Sequence, residues 1–205
     1  MMAAYARTYD RDVSNVPYRM DGKTELQITH ELLGMAGLTR QEVTDRLPVF
    51  WEHYRDELER RLTPDKVTVH PGVREVVAAL RARRDAVLGL LTGNCEAAAR
   101  FKLAMAGLDG FAVAAYGAHH EAREHLPTVA VRDAQRVAGK AFQGKDIVII
   151  GDTPNDVLCG RALGVKAIGV ATGRFSPEEL RAYAPDYVFA NLSDVPAVLR
   201  AIDAP

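Results

Sequence analysis

The 205-residue chain has only two cysteines, Cys95 and Cys159. So sparse a pair builds no disulfide framework of the kind that staples small secreted domains; it fits a reducing compartment, in which both thiols pack as small buried apolar groups. Charge of one sign is also missing, since 26 Lys and Arg stand against 27 Asp and Glu for a net charge of −1. That balance, without a long basic block, withholds the electrostatic footprint that nucleic acid and anionic lipid require. No run approaches the roughly 18 apolar residues of a membrane span, and the opening Met1 to Asp10 lacks the apolar stretch of a secretory signal. There is no internal repeat and no low-complexity segment. Together these absences predict a cytoplasmic protein whose partner is a small molecule, not nucleic acid or membrane; oligomeric state is not legible.

What is present is a hydrophobic content of 48%, enough for a substantial core in one domain of ordinary size with a smaller one beside it. From Thr24 to about Leu62 the signals are helical. Thr24-Glu25-Leu26-Gln27 and Thr39-Arg40-Gln41-Glu42 each read as a capping box, in which a hydroxyl and a side chain three residues later bond each other's backbone amides. The second helix carries Val43, Leu47, Phe50, Tyr54 and Leu58 on one apolar stripe, with Pro48 predicting a kink or break.

After Pro71-Gly72 the pattern turns to alternating strand and helix, the signature of a mostly parallel sheet. It predicts helix at 72–83, strand at 87–91, helix at 95–106, strand at 111–116, helix at 126–138, strand at 146–150, helix at 154–163 and strand at 165–171. Ser176-Pro177-Glu178-Glu179 starts another helix, and a strand at 186–189 and a helix from about 194 close the chain. The strands are continuous apolar runs, which implies burial on both faces. The fold class is therefore α/β, a doubly wound, mostly parallel sheet with a small helical cap; residues 1–70 form the cap and 71–205 the core domain.

Two strand ends carry the chemistry. Ile147 to Gly151 empties into Asp152 and Asp156, and Pro154 opens a helix whose amides face the same crevice, the place where open α/β sheets bind ligands. Two carboxylates there suit a hard cation such as Mg²⁺, which takes oxygen ligands and bridges to phosphate. Leu90-Leu91 runs into Thr92-Gly93-Asn94, where a hydroxyl and backbone amides can grip an anion; the simpler reading is that Thr92 or Asn94 caps the next helix.

Taken in this order and spacing, Thr92-Gly93-Asn94 and Gly151-Asp152-Thr153-Pro154-Asn155-Asp156 resemble motifs II and IV of the haloacid dehalogenase superfamily, in its phosphoglycolate phosphatase-like branch. The similarity continues through Gly164 to Gly173 and Pro185 to Val188, spanning the core from Pro71 onward. The resemblance implies that Thr92 holds the transferring phosphoryl group, with Gly93 and Asn94 assisting. Asp152 is then a direct Mg²⁺ ligand, and Asp156 supports the metal site or its waters. For motif III, a cation that neutralises phosphate, it offers Arg123, with Lys140 as runner-up.

Motif I, a strand ending Asp-x-Asp-Gly-Thr whose first Asp is phosphorylated, has no match. Its lookalike, Arg19-Met20-Asp21-Gly22-Lys23-Thr24, has a cation at the nucleophile position and no apolar strand before it. In the superfamily this strand is central, so its loss leaves two edges unpaired, at about 1 to 3 kcal/mol for each unsatisfied buried backbone group. The expectation is a chain shortened at its N-terminus, with the nucleophile encoded upstream of Met1, Met1 to Asp10 as the first cap helix, and a gap between strands 87–91 and 146–150. The expected activity is Mg²⁺-dependent hydrolysis of a small phosphorylated metabolite through an aspartyl-phosphate. The alternatives are a non-catalytic binding protein on the same scaffold, or mutase or phosphonatase chemistry. His119, His120 and His125 lack zinc-ligand spacing and read as a solvated loop, and His70 as part of the cap-to-core hinge.

Overall fold

The computed structural model describes residues 1–205. Four helices come first: α1 (Met2–Tyr9), α2 (Glu25–Met35), α3 (Arg40–Asp45) and α4 (Leu47–Arg61). Pro48 breaks the long apolar stripe into α3 and α4 and sits in the first turn of α4, where its missing N–H costs nothing. The Thr39–Glu42 capping box forms in full. The box expected at Thr24 forms only half: Thr24 accepts from the Gln27 amide, but the Gln27 side chain donates to Glu31 instead of returning to the cap. The carboxylate one turn further on draws the Gln27 amide group toward it as a donor, which turns Oε1 away from the Thr24 N–H it would have to accept.

The remaining elements alternate as read: α5 (Val73–Arg81), β1 (Gly89–Leu91), α6 (Glu96–Ala106), β2 (Val113–Ala115), α7 (Leu126–Ala138), β3 (Val148–Gly151), α8 (Pro154–Cys159), β4 (Lys166–Val170), α9 (Pro177–Arg181), β5 (Tyr187–Phe189) and α10 (Val195–Asp203). All strand pairs are parallel. They do not form one sheet, however; β1 pairs with β2 alone, and β3, β4 and β5 form a second sheet with β4 in the middle.

The apolar side chains gather in matching groups. One cluster joins α1, α2 and α4 around fully buried Phe50, whose ring stacks on Tyr5 at 4.8 Å and on Tyr54 at 5.9 Å; it reaches Cys95 and Ala98 at the start of α6. A second packs α5 and α10 against Ile168 and Val170 of β4. Lys166, only 1% exposed, opens β4 and donates to the carbonyls of Ile202 (2.8 Å) and Ala204, so its ammonium caps the negative end of α10.

Between the two sheets lies an apolar slot of about 820 Å³. Its long sides are the free edges of Val87–Leu91 and Ile147–Ile150, and Val76, Leu80, Val131 and Ala134 of α5 and α7 cover its faces. This is the gap the sequence predicts: two parallel strands, each paired on one side only, face each other across apolar walls. Amide exchange should follow this asymmetry, with β4 amides, paired on both sides, the most protected and those of β1 and β3 exchanging markedly faster. Equal protection of β1, β3 and β4 in a hydrogen–deuterium exchange experiment would contradict an open slot.

Candidate active site

At one end of the slot, where β1 and β3 terminate, Thr92, Gly93, Asn94, Arg123, Gly151, Asp152, Thr153 and Asp156 line a single pocket of about 570 Å³. Both motifs thus reach the same edge, because β1 and β3 run parallel and every strand carboxyl end lies on that side.

Neither Thr92 nor Asn94 caps α6. The N-cap is Cys95, and no side chain accepts there in the manner of a cap. Thr92 Oγ1 instead accepts from the Asn94 backbone amide (3.1 Å) and from Asn94 Nδ2 (2.8 Å), and Asn94 Oδ1 accepts from Lys102. Gly93 is required by packing, since a Cβ there would run into the Lys23 carbonyl oxygen and the Arg123 guanidinium.

On the β3 side, Thr153 and Asp156 form a full capping box at α8, Asp156 Oδ2 accepting from the Thr153 amide (3.0 Å) and hydroxyl (2.8 Å). Its other oxygen, Oδ1, pairs with Arg123, and both side chains are largely buried. Asp156 therefore spends both oxygens on protein donors. Arg123 keeps its Nε buried and without a partner. Asp152 differs, for no protein side chain bonds its carboxylate, and Gly173 leaves it room where a Cβ would touch Oδ2. Burial raises the Asp152 pKa above the usual carboxylate range, and the charge of Asp156 adds to the rise.

Residues 20–25 cross this mouth. Met20, Gly22, Lys23 and Glu25 line the pocket, as do Met1 and Tyr54. Arg19 of the lookalike motif is exposed, and Asp21 pairs with Arg174 at 3.2 Å. Glu25 is the main clamp. Its amide donates to the Gly93 carbonyl (2.7 Å), Oε2 accepts from the Cys95 amide (2.6 Å), and Oε1 accepts from the Tyr54 hydroxyl (2.6 Å). Burial and Glu25 together push the Tyr54 and Cys95 pKa values up, Cys95 to about 12, so neither is a nucleophile. A second tie holds the loop before Arg123: Thr24 donates to the Glu121 carbonyl (2.6 Å), and the Glu121 carboxylate meets His30 (3.2 Å) and Arg40.

Lys23, Glu25, Tyr54 and Lys102 escaped the sequence reading. For Lys102 a signal existed: helix side chains lean toward the N-terminus, so a long cation on α6 reaches back to the strand end eight residues earlier. Lys140 lies away from the mouth, over the Phe142 ring at 5.1 Å. The rings of His120 and His125 lie 4.1 Å apart, and no group of three or more His, Cys, Asp or Glu side chains is placed to hold a metal.

A folded-state pKa above the unfolded value means that the fold holds the Asp152 proton more tightly than the unfolded chain does. Asp152 therefore costs stability once pH rises through its unfolded pKa, and the cost is absent below it. Asp152→Asn should raise the Tm at about pH 7 and have less effect near pH 4. A lower Tm for the variant at neutral pH would contradict this electrostatic picture.

Residues 117–195 match the family described as HAD-hydrolase-like. No curated protein matches the chain. Among solved structures, the β-phosphoglucomutase of Clostridium difficile superposes with a TM-score of 0.68 at 11% identity, covering 98% of this chain and 91% of that one. A hydrolase from Pseudomonas syringae gives 0.66 at 18% identity, with 97% and 89% covered. A predicted phosphoglycolate phosphatase from Haemophilus somnus gives 0.59 at 18%, again covering 97% and 89%. Residues 117–195 thus resemble a HAD-hydrolase-like family, and the chain shares the fold of these solved structures over nearly its whole length.

Proposed function

We propose that the pocket at the ends of β1 and β3 is the site of a Mg²⁺-dependent phosphatase acting on a small phosphorylated metabolite through an aspartyl-phosphate. The observation that carries this reading is the convergence of Thr92–Asn94 and Asp152–Asp156 on one polar pocket at the mouth of a strand-wide slot. In this reading residues 1–70 are a cap over a core of residues 71–205.

The donor set fits a hard cation. Asp152 is a half-buried carboxylate without a side-chain partner, and Mg²⁺ is commonly held by one or two carboxylates plus phosphate and water. Asp152 would be the direct ligand, with Asp156 fixing the loop and orienting metal-bound water; bound there, the ion would offset phosphate charge. Thr92 Oγ1 donates to a phosphoryl oxygen, with the backbone of Gly93 and Asn94 beside it. Arg123, held beside Asp156 in the lining of the pocket, would face the same group. Such positioning and charge stabilisation make up most of phosphoryl-transfer catalysis.

The nucleophile is assigned to a strand that fills the slot, parallel to β1 and β3, and delivers its last residue to the mouth. Met1 itself lines the mouth, so a segment preceding Met1 could descend from the slot and join α1 with a short connection. The nucleophile carboxylate would displace the substrate alkoxide, which takes its proton from the second Asp of the same Asp-x-Asp segment, and water deprotonated by that Asp would then attack the phosphorus, releasing phosphate and restoring the nucleophile carboxylate. Asp152 is already committed to the metal side, Asp156 to Thr153 and Arg123, and Asp21 to Arg174.

The test compares residues 1–205 with the same chain extended upstream in its reading frame. The extended chain should hydrolyse an aryl phosphate with Mg²⁺, whereas residues 1–205 should show none of this turnover. Within the extended chain, Asp152→Asn should abolish the activity. Thr92→Ala should slow it by about 10²- to 10³-fold, the usual loss for one donor to a developing charge. Robust Mg²⁺-dependent turnover by residues 1–205 would overturn the nucleophile assignment, and near-normal turnover by Asp152→Asn at limiting Mg²⁺ would overturn the metal assignment.

A further inference from the structure

Three cationic side chains line the pocket, Lys23, Lys102 and Arg123, and they differ in what already neutralises them. Arg123 is locked to Asp156. Lys23 is paired with Glu31 at 2.6 Å and also donates to the Tyr18 hydroxyl at 2.9 Å. Lys102 has no carboxylate within 4.0 Å, and its one hydrogen bond goes to a neutral acceptor, Oδ1 of Asn94. Glu25, the acidic group on the same side of the pocket, has its oxygens occupied by Tyr54 and the Cys95 amide.

We propose that Lys102 is the residue that supplies net positive charge to the phosphoryl group. This deepens the phosphatase reading above and rests on it. A half-buried ammonium without a counter-charge is costly to desolvate, and a dianionic tetrahedral ligand removes that cost, whereas an ion pair such as Arg123–Asp156 presents almost no net charge to a ligand. The connection also reaches the gripping hydroxyl: Lys102 holds Asn94 Oδ1, and Asn94 Nδ2 donates to Thr92 Oγ1, so one amide fixes both the cation and the lone pairs of the hydroxyl. Asn94 cannot turn its carbonyl away without losing both bonds. With Oγ1 accepting from Asn94 twice, its proton is left to point at a ligand oxygen.

Orthophosphate is the probe, titrated calorimetrically into residues 1–205 with and without Mg²⁺. Lys102→Gln should weaken binding by about tenfold or more, the loss typical of a charged hydrogen bond. Lys102→Arg should restore most of it, and Lys140→Gln, remote from the mouth, should leave it unchanged. In the unsubstituted chain, orthophosphate should also shield Lys102, and not Lys140, from an amine-reactive reagent, a measurement that needs no variant to fold. If Thr92→Ala weakens binding while Lys102→Gln does not, or if phosphate fails to shield Lys102, the Lys102 assignment is wrong and the site reading stands. If residues 1–205 bind no orthophosphate with or without Mg²⁺, both fall.

Discussion

A parallel strand carries hydrogen-bonding groups on both edges, and those groups must be paired when the surroundings are apolar. That constraint governs this molecule. β1 and β3 run the same way, each is paired on one side only, and their free edges face a slot walled by α5 and α7. The backbone groups along those edges favour an extended chain between them, which would make one continuous sheet of the two. Because both strands end at the same mouth, whatever fills the slot in parallel also ends there, between Thr92 and Asp152. Fold completion and site completion are one event in this account.

The second organising contact is the grip of the N-terminal helices on the turns after β1 and before α7. Glu25 joins the N-terminus of α2 to the turn after β1 through two backbone bonds, and Tyr54 from α4 steadies its carboxylate. Glu121 does the equivalent for the loop that leads to Arg123, collecting Thr24, His30 and Arg40. Residues of the N-terminal helices therefore position both loops at the mouth. The same segment, 20–25, lines the pocket, so the shape of the mouth and the alignment of Thr92 share a cause.

Much of this was legible because it is local. Helix α7 has the bounds that periodicity and its flanking glycine give, and Pro48 breaks the apolar stripe where its ring forbids continuation. The strand ends at Thr92 and Asp152 were visible as apolar runs halted by polar residues. The rest depended on contacts between distant positions. Gln27 leaves its capping box for Glu31, donating through Nε2 where the box needs Oε1 to accept, a choice that spacing does not decide. Glu25 reads as an ordinary first-turn helix acid until Tyr54 and Cys95, 29 and 70 residues away, meet it. Arg123 stands out by its place in the motif order and Lys102 does not, and only the ion pair with Asp156 and the neutral Asn94 partner show how differently the two cations are neutralised.

The central claim is that the group attacking phosphorus arrives on a strand from outside residues 1–205. Acid quench of the upstream-extended chain during turnover, followed by peptide mapping, locates the phosphoryl adduct directly. The account predicts one acyl-phosphate, on an Asp in the segment preceding Met1, with residues 1–205 unlabelled. An adduct on any residue within 1–205, Asp21 and Asp152 included, would contradict it.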